Sequence, residues 1–158
     1  KIRYENNHFK KYYNNILNLK YMQLVNQIHP TAAQFQELVN NYPKDQPVVM
    51  INILRYKDKT GNGAETGETA YARYGQNVLP FMKKVKARLL WRGTVNNTVI
   101  GSSEGQPQVV LLVEYPSIQN FIEMTTDPAY IKVAEDRTLG LEYGGLMAAT
   151  TVYNGLKS

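Results

Sequence analysis

The stretch Pro47 to Tyr56, PVVMINILRY, is the longest β-branched apolar run in the chain, and it constrains everything around it. Side chains of a strand alternate with period two. Val48, Met50, Asn52 and Leu54 therefore share one face, and Val49, Ile51 and Ile53 the other. Both faces are apolar, which predicts a strand covered on both sides and central in its sheet. Asn52 is the exception. An amide in the middle of a buried strand costs free energy unless it meets hydrogen-bond partners or a wet cavity, so Asn52 is the first candidate for a site.

The flanking segments read as alternating helices and strands. Thr31 and Gln34 form a capping box ahead of the apolar stripe Phe35, Leu38 and Val39, and Pro43 ends that helix. His29, beside a proline at the helix entrance, reads as a local cap or surface residue. After Tyr56 comes KDKTGNGAETGE, a glycine-rich loop without the Lys-Ser/Thr of a phosphate loop, read as a flexible or ligand-capping connection. The spacing of Tyr71, Tyr74, Val78, Phe81, Met82 and Val85 predicts the longest helix over 68–87, kinked or broken at Pro80. RLLWRGTV at 88–95 is the next strand. Gly93 marks a bulge in it, or Asn96-Asn97 turns a hairpin. VVLLVEY at 109–115 is a second nearly continuous apolar strand, with Glu114 on the face of Val110 and Leu112. Ser117 caps one helix. Asp127-Pro128 starts another that runs to about Glu142, Gly144-Gly145 breaks it, and 146–153 forms the last strand.

The order strand, helix, strand, strand, helix, strand is that of an α+β, ferredoxin-like βαββαβ sandwich with a four-stranded antiparallel sheet, and two such units commonly pair face to face. A length of 158 residues fits one domain, assigned to 22–158, with 1–21 a loosely ordered extension. The extension carries Lys1, Arg3, Lys10, Lys11 and Lys20 against Glu5, a net of +4, whereas the rest of the chain is at +1. The basic balance is thus no argument for a nucleic-acid partner. A basic amphipathic helix at Phe9, Tyr12, Tyr13, Ile16 and Leu19 is the alternative reading of that extension. No run approaches the roughly 18 apolar residues of a membrane span, and a cytoplasmic protein is expected. Cysteine is absent, which excludes disulfides, thiolate metal sites and a cysteine nucleophile. Both histidines, His8 and His29, precede the central strand, which argues against a histidine-rich metal site or a Ser-His-Asp triad.

PVVMINILRY, LLWRGTV with VIG, VEYPS, FIEMTTDPAY and the DRTLGLE segment, five blocks in order over about residues 24–152, together resemble the DUF1330-type family of small bacterial proteins. The resemblance implies the dimeric α/β-barrel superfamily: a homodimer whose two sheets enclose a barrel, with a pocket between sheet and helices in each subunit. Other groups of that superfamily include quinol monooxygenases, haem-degrading oxygenases and muconolactone isomerases. In this chain Gln106-Pro107-Gln108 stands where the family commonly has a Trp-Asp pair. Asn52 matches the asparagine of the family's first strand, Trp91 and Arg92 its W-R-G block, and Arg137 its Arg-Thr pair, while Arg55 follows at the strand exit. No histidine falls where haem-binding relatives place an axial ligand, and no cofactor is expected.

Three functions follow as expectations. In the first, a cofactor-independent oxygenase or isomerase acts on a small apolar or aromatic acid or carbonyl compound. Asn52 orients a substrate oxygen, Arg92 or Arg137 stabilises negative charge, and Glu114 is the general base. Trp91, Tyr71 and Tyr74 wall the pocket, with Arg55 at its edge. In the second, the same pocket binds a ligand without turnover. In the third the protein is a structural dimer, with Arg92, Glu114 and Arg137 in ion pairs that fix register and interface.

Overall fold

The computed structural model describes residues 27–153 and 155. The expected extension 1–21, the amphipathic alternative for it and the apolar run at 22–26 lie outside the described residues. The described elements are α1 (Ala32–Asn41), β1 (Val48–Tyr56), α2 (Gly67–Asn77), α3 (Leu79–Lys84), β2 (Arg88–Thr94), β3 (Val109–Tyr115), α4 (Ile118–Thr126), α5 (Pro128–Gly140) and β4 (Leu141–Ala149). The four strands form one antiparallel sheet in the order β2-β3-β1-β4, so PVVMINILRY supplies a central strand. With α2–α3 and α4–α5 as the two helical connections, this is the ferredoxin-like α+β arrangement.

Local chemistry fixes the helix starts. The Thr31 hydroxyl accepts from the Gln34 amide while the Gln34 side chain accepts from the Thr31 amide, closing the capping box. Ser117 caps α4, and Asp127 caps α5 with Pro128 at the first helical position. The helical pattern over 68–87 is broken: α2 stops at Asn77 and α3 restarts at Leu79, with Pro80 in its first turn where its missing N–H costs nothing. Among the described residues the longest helix is therefore α5, with 13 residues.

Three expectations are corrected. Gly144 and Gly145 do not break a helix. They lie within β4, which begins at Leu141 rather than 146, and a Cβ at Gly144 would crowd the Arg137 guanidinium. The bulge of β2 falls between Leu89 and Trp91, not at Gly93, whose bare Cα instead makes room for the Trp91 ring. The 57–66 loop is neither loose nor a cap on the pocket. The Thr60 amide donates to the Glu65 carbonyl at 2.9 Å, and the Thr60 hydroxyl, buried, donates to Asn62 Oδ1 at 2.8 Å. Arg73 then ties Glu65 to Asp136 of α5 at 2.8 and 2.7 Å.

The helices cover one sheet face, the inner one, carrying Val48, Met50, Leu54, Val113 and Tyr115, all buried. The opposite, outer face is apolar but only partly covered in the single chain: Val49, Ile51, Ile53, Val110 and Leu112 are half-buried, and Trp91 and Met147 are exposed.

Candidate functional site

Strand register decides which side chains meet. Asn52 stands opposite Leu111 of β3 and Leu146 of β4, and Leu111 stands opposite Arg92 of β2, so Asn52 and Arg92 share the inner face. The buried core on this face is divided. One cluster gathers Val48, Met50, Val113, Tyr115, Phe121 and Tyr130, the other Leu54, Tyr56, Tyr71, Val109 and Leu141. Tyr74 and Leu111, partly buried, pack against both. Asn52 falls on the strand between Met50 and Leu54, at the gap between the two clusters.

A cavity of about 1410 Å³ opens there. Asn52, Tyr71, Tyr74, Arg92 and Arg137 line it, and Phe35 and Leu38 of α1 close its far side. It exceeds the roughly 300–1,000 Å³ usual for small-molecule sites because it runs on beneath α1. Most of the lining surface is apolar and aromatic, as in sites that bind small organic molecules, with further polar side chains such as Gln34, Glu37 and Glu135 also in the wall.

Each polar group has a defined state. Asn52 Nδ2 donates to the Met50 carbonyl at 3.1 Å, which fixes the amide orientation, since a carbonyl only accepts. Its Oδ1 has no partner among the described residues. The Tyr74 and Tyr130 hydroxyls share a hydrogen bond of 3.1 Å. The rings of Tyr56, Tyr71 and Tyr74 follow one another at 5.4 Å between centroids. Arg92, exposed at the mouth, donates to the Tyr56 hydroxyl at 3.4 Å. Burial pushes the Tyr71 hydroxyl up to about 12 and that of Tyr74 well above its usual range. Tyr56 is also raised, by burial, with Arg92 opposing it. At neutral pH these phenols are protonated hydrogen-bond donors, not bases.

Arg137 lines the cavity but its guanidinium is engaged: it donates to the Ile28 carbonyl at 2.9 Å and to the Gly144 carbonyl at 3.4 Å. Together with the Gly144 amide on the Gln27 carbonyl at 3.1 Å, it clasps the segment leading into α1 onto β4.

The other candidates are not brought here. Glu114 stands opposite Val49 and Arg88 on the outer face, ion-paired with Arg88. Trp91 also lies on that face, over Gly93. Arg55 pairs with Glu142 at 2.8 Å. His29 is exposed at the cavity rim, its Nε2 3.3 Å from the Thr138 hydroxyl. The Gln106 and Gln108 that replace the Trp-Asp pair hold backbone. Gln108 Oε1 accepts from the Tyr56 amide at 2.7 Å, and Gln106 Nε2 donates to the Val95 carbonyl at 3.5 Å while its Oε1 accepts from the Thr98 hydroxyl at 2.6 Å.

Tyr56 and Tyr130 were not singled out from the sequence. Tyr56 was within reach: the alternation that pairs residue 52 with 54 continues to 56, which puts Tyr56, not Arg55, on the face of Asn52. Tyr130 carried no such signal, because its place depends on how α5 lies against α2.

The family model for a domain of unknown function, DUF1330, matches residues 64–149. The chain belongs to the DUF1330 family. A protein of unknown function from Rhodopseudomonas palustris is similar in structure at a TM-score of 0.77 and 26% identity, over 82% of this chain and all (100%) of that one. The hydroxynitrile lyase of Passiflora edulis shares the fold at a TM-score of 0.50 and 18% identity, over 70% of this chain and 98% of its own. A dimeric, ferredoxin-like protein of unknown function from Bacteroides fragilis aligns at a TM-score of 0.49 and 11% identity, over 69% of this chain and 100% of its own. No curated protein matches the chain. Among the described residues, no helix is long and apolar enough to cross a membrane, and no three acidic or histidine side chains gather as metal ligands.

Proposed function

We propose that this DUF1330 protein is a homodimer that holds a small, largely apolar or aromatic molecule bearing an acid or carbonyl oxygen in the cavity between sheet and helices. The observation that carries the reading is Asn52. Its Nδ2 gives one hydrogen to the Met50 carbonyl, which leaves the second N–H to donate to a ligand oxygen, and apolar and tyrosine side chains surround it. A half-buried amide with a donor to spare, on an otherwise apolar inner face, gives a ligand oxygen a fixed place to bind. The Asn52 amide then orients the ligand, and Tyr71 and Tyr74 form its aromatic wall.

Binding is favoured over turnover by the state of the same groups. Around Asn52 the neutral tyrosines and the amide provide hydrogen bonds but no proton acceptor of the strength that abstraction from carbon requires, and the cavity's carboxylates, Glu37 and Glu135, and its imidazole, His29, stand at the rim. A cofactor-independent oxygenase or isomerase reaction would need the substrate itself to be readily ionised, its negative charge then resting on Asn52 and Arg92. The pairing of two copies is supported by the outer face, where Val49, Ile51, Leu90 and Leu112 line an apolar groove of about 390 Å³. Native mass spectrometry of freshly purified protein tests both parts. The expected result is a dimer mass, with additional non-covalent mass from a retained small molecule. A monomer at micromolar concentration would overturn the pairing, and a cavity that binds no aromatic acid, amide or aldehyde in titration would overturn the ligand reading.

A further inference from the structure

We infer that the ligand is a carboxylic acid bound as its anion, with the carboxylate held by Arg92 and the second N–H of Asn52 on the same sheet face, and the apolar body directed inward past Tyr71. This rests on the cavity reading above and narrows it from acid or carbonyl to acid, with Arg92 as an anion anchor in the bound state rather than a group reserved for a transition state.

The pairing of the arginines singles out Arg92. Among the described residues Arg55 is matched by Glu142, Arg73 by Glu65 and Asp136, and Arg88 by Glu114, while Arg137 is spent on two backbone carbonyls. Arg92 alone has neither carboxylate nor carbonyl. Its one hydrogen bond is to a phenol oxygen, at the long distance of 3.4 Å. A guanidinium carries five N–H donors in a planar fork that fits the two oxygens of a carboxylate. Among the described residues, most of that fork has no partner.

The neighbours extend the donor set. Because the Tyr56 oxygen accepts from Arg92, its own O–H is left to donate, and it has no acceptor among the described residues. The Tyr71 hydroxyl, lining the cavity, also has none. Burial keeps both phenols protonated, so the mouth presents a cation flanked by neutral donors. A neutral carbonyl would satisfy one of these donors. A carboxylate satisfies the fork and cancels its charge, and the carboxylates at the cavity rim, Glu37 and Glu135, are not bonded to Arg92.

The test uses a matched pair of probes, naphthylacetate and naphthylacetamide, which share shape and apolar area and differ in charge. Isothermal titration of the full chain is expected to show the acid binding at least tenfold tighter than the amide, with the advantage shrinking as salt is raised. Arg92→Gln is expected to abolish the preference while leaving amide binding within about twofold, and Arg92→Lys to keep part of it. Arg55→Gln, which removes an arginine outside the cavity, is expected to change neither. Equal binding of acid and amide by the unaltered protein, or a preference that survives in Arg92→Gln, would overturn the anion assignment and leave the cavity reading standing. Failure of both probes to bind would overturn the two together.

Discussion

Replacing Asn52 with leucine exchanges an amide that makes one hydrogen bond for an apolar side chain of similar reach, on a face otherwise built from Val48, Met50 and Leu54. Removing an underpaired polar group from such a place is neutral to stabilising, by up to about 1 kcal/mol. Asn52→Leu is therefore expected to hold or raise the urea midpoint while losing at least tenfold in affinity for an aromatic acid. A large loss of stability would instead make Asn52 a structural residue. The tyrosines carry a second prediction at this scale. Tyr71 ionises near 12 in the folded chain, above the ordinary phenol value of 10.0, so in the interval between the two values the unfolded chain has released a proton that the folded chain retains. Stability from this group is complete below about pH 10 and declines as pH rises, by roughly 1.4 kcal/mol per pH unit. Tyr56, Tyr74 and Tyr115 are shifted in the same direction by burial. Urea titrations between about pH 9 and pH 11 are expected to show a midpoint falling steadily with pH, and a flat profile would contradict the buried tyrosine cluster.

Between helices, α2 and α5 approach closely at Gly67 and Gly140. The Gly67 amide donates to the Lys57 carbonyl at 2.9 Å, the Lys57 amide donates to the Gly140 carbonyl at 3.0 Å, and a Cβ at Gly67 would overlap backbone of both partners. Backbone cannot step aside as a side-chain tip can. Gly67→Ala should cost about 1–3 kcal/mol in urea unfolding despite alanine's better helix propensity. The elements themselves were legible in the sequence wherever the code is local: Thr31 with Gln34, Ser117, Asp127-Pro128, and the period-two run at 48–56 each specify their structure within a few residues. The start of β4 was not. Gly144-Gly145 reads as a break, yet here the glycines admit the Arg137 guanidinium and the Tyr143 ring, contacts that sequence spacing does not express. The candidate site divides along the same line. Alternation placed Asn52, and the pairing of Trp91 and Arg92 on opposite faces was readable, but which of the two faces Asn52 required register. Asn52 opposite Leu111 puts the odd-numbered residues of β3 inside and carries Glu114 outside, to Arg88.

For the molecule as a whole, the sheet has two apolar faces and the described helices cover one. The outer face, where Val49, Ile51, Leu90 and Leu112 are half-buried in a groove shared with Ala149, Thr151 and Tyr153 and Met147 is 48% exposed, stays only partly covered in an isolated chain. Burying that surface against a second copy is worth about 25 cal/mol per Å² before the cost of association. A charge at its middle should be prohibitive. On the proposed pairing, Ile51→Glu is expected to sediment as a monomer where the unaltered protein sediments as a dimer, with binding of an aromatic acid on the opposite face retained.

The clasp that seats the segment before α1 has a consequence for how chains avoid one another. Among the described strands β4 ends the sheet, and a terminal strand with free amides and carbonyls invites pairing by a foreign strand. Here Gln27 takes the Gly144 amide, Arg137 takes its carbonyl, and the Tyr42 hydroxyl donates to the Ala149 carbonyl at 3.0 Å. At the other end of the sheet the bulge at Leu90 and the charges of Arg88 and Arg92 interrupt the template. A chain shortened to begin after Tyr42 keeps all four strands but uncovers β4, and light scattering should show it growing into large aggregates where the full chain does not. In that sense the residues ahead of the first strand act as a guard against amyloid-like addition as much as a wall of the cavity.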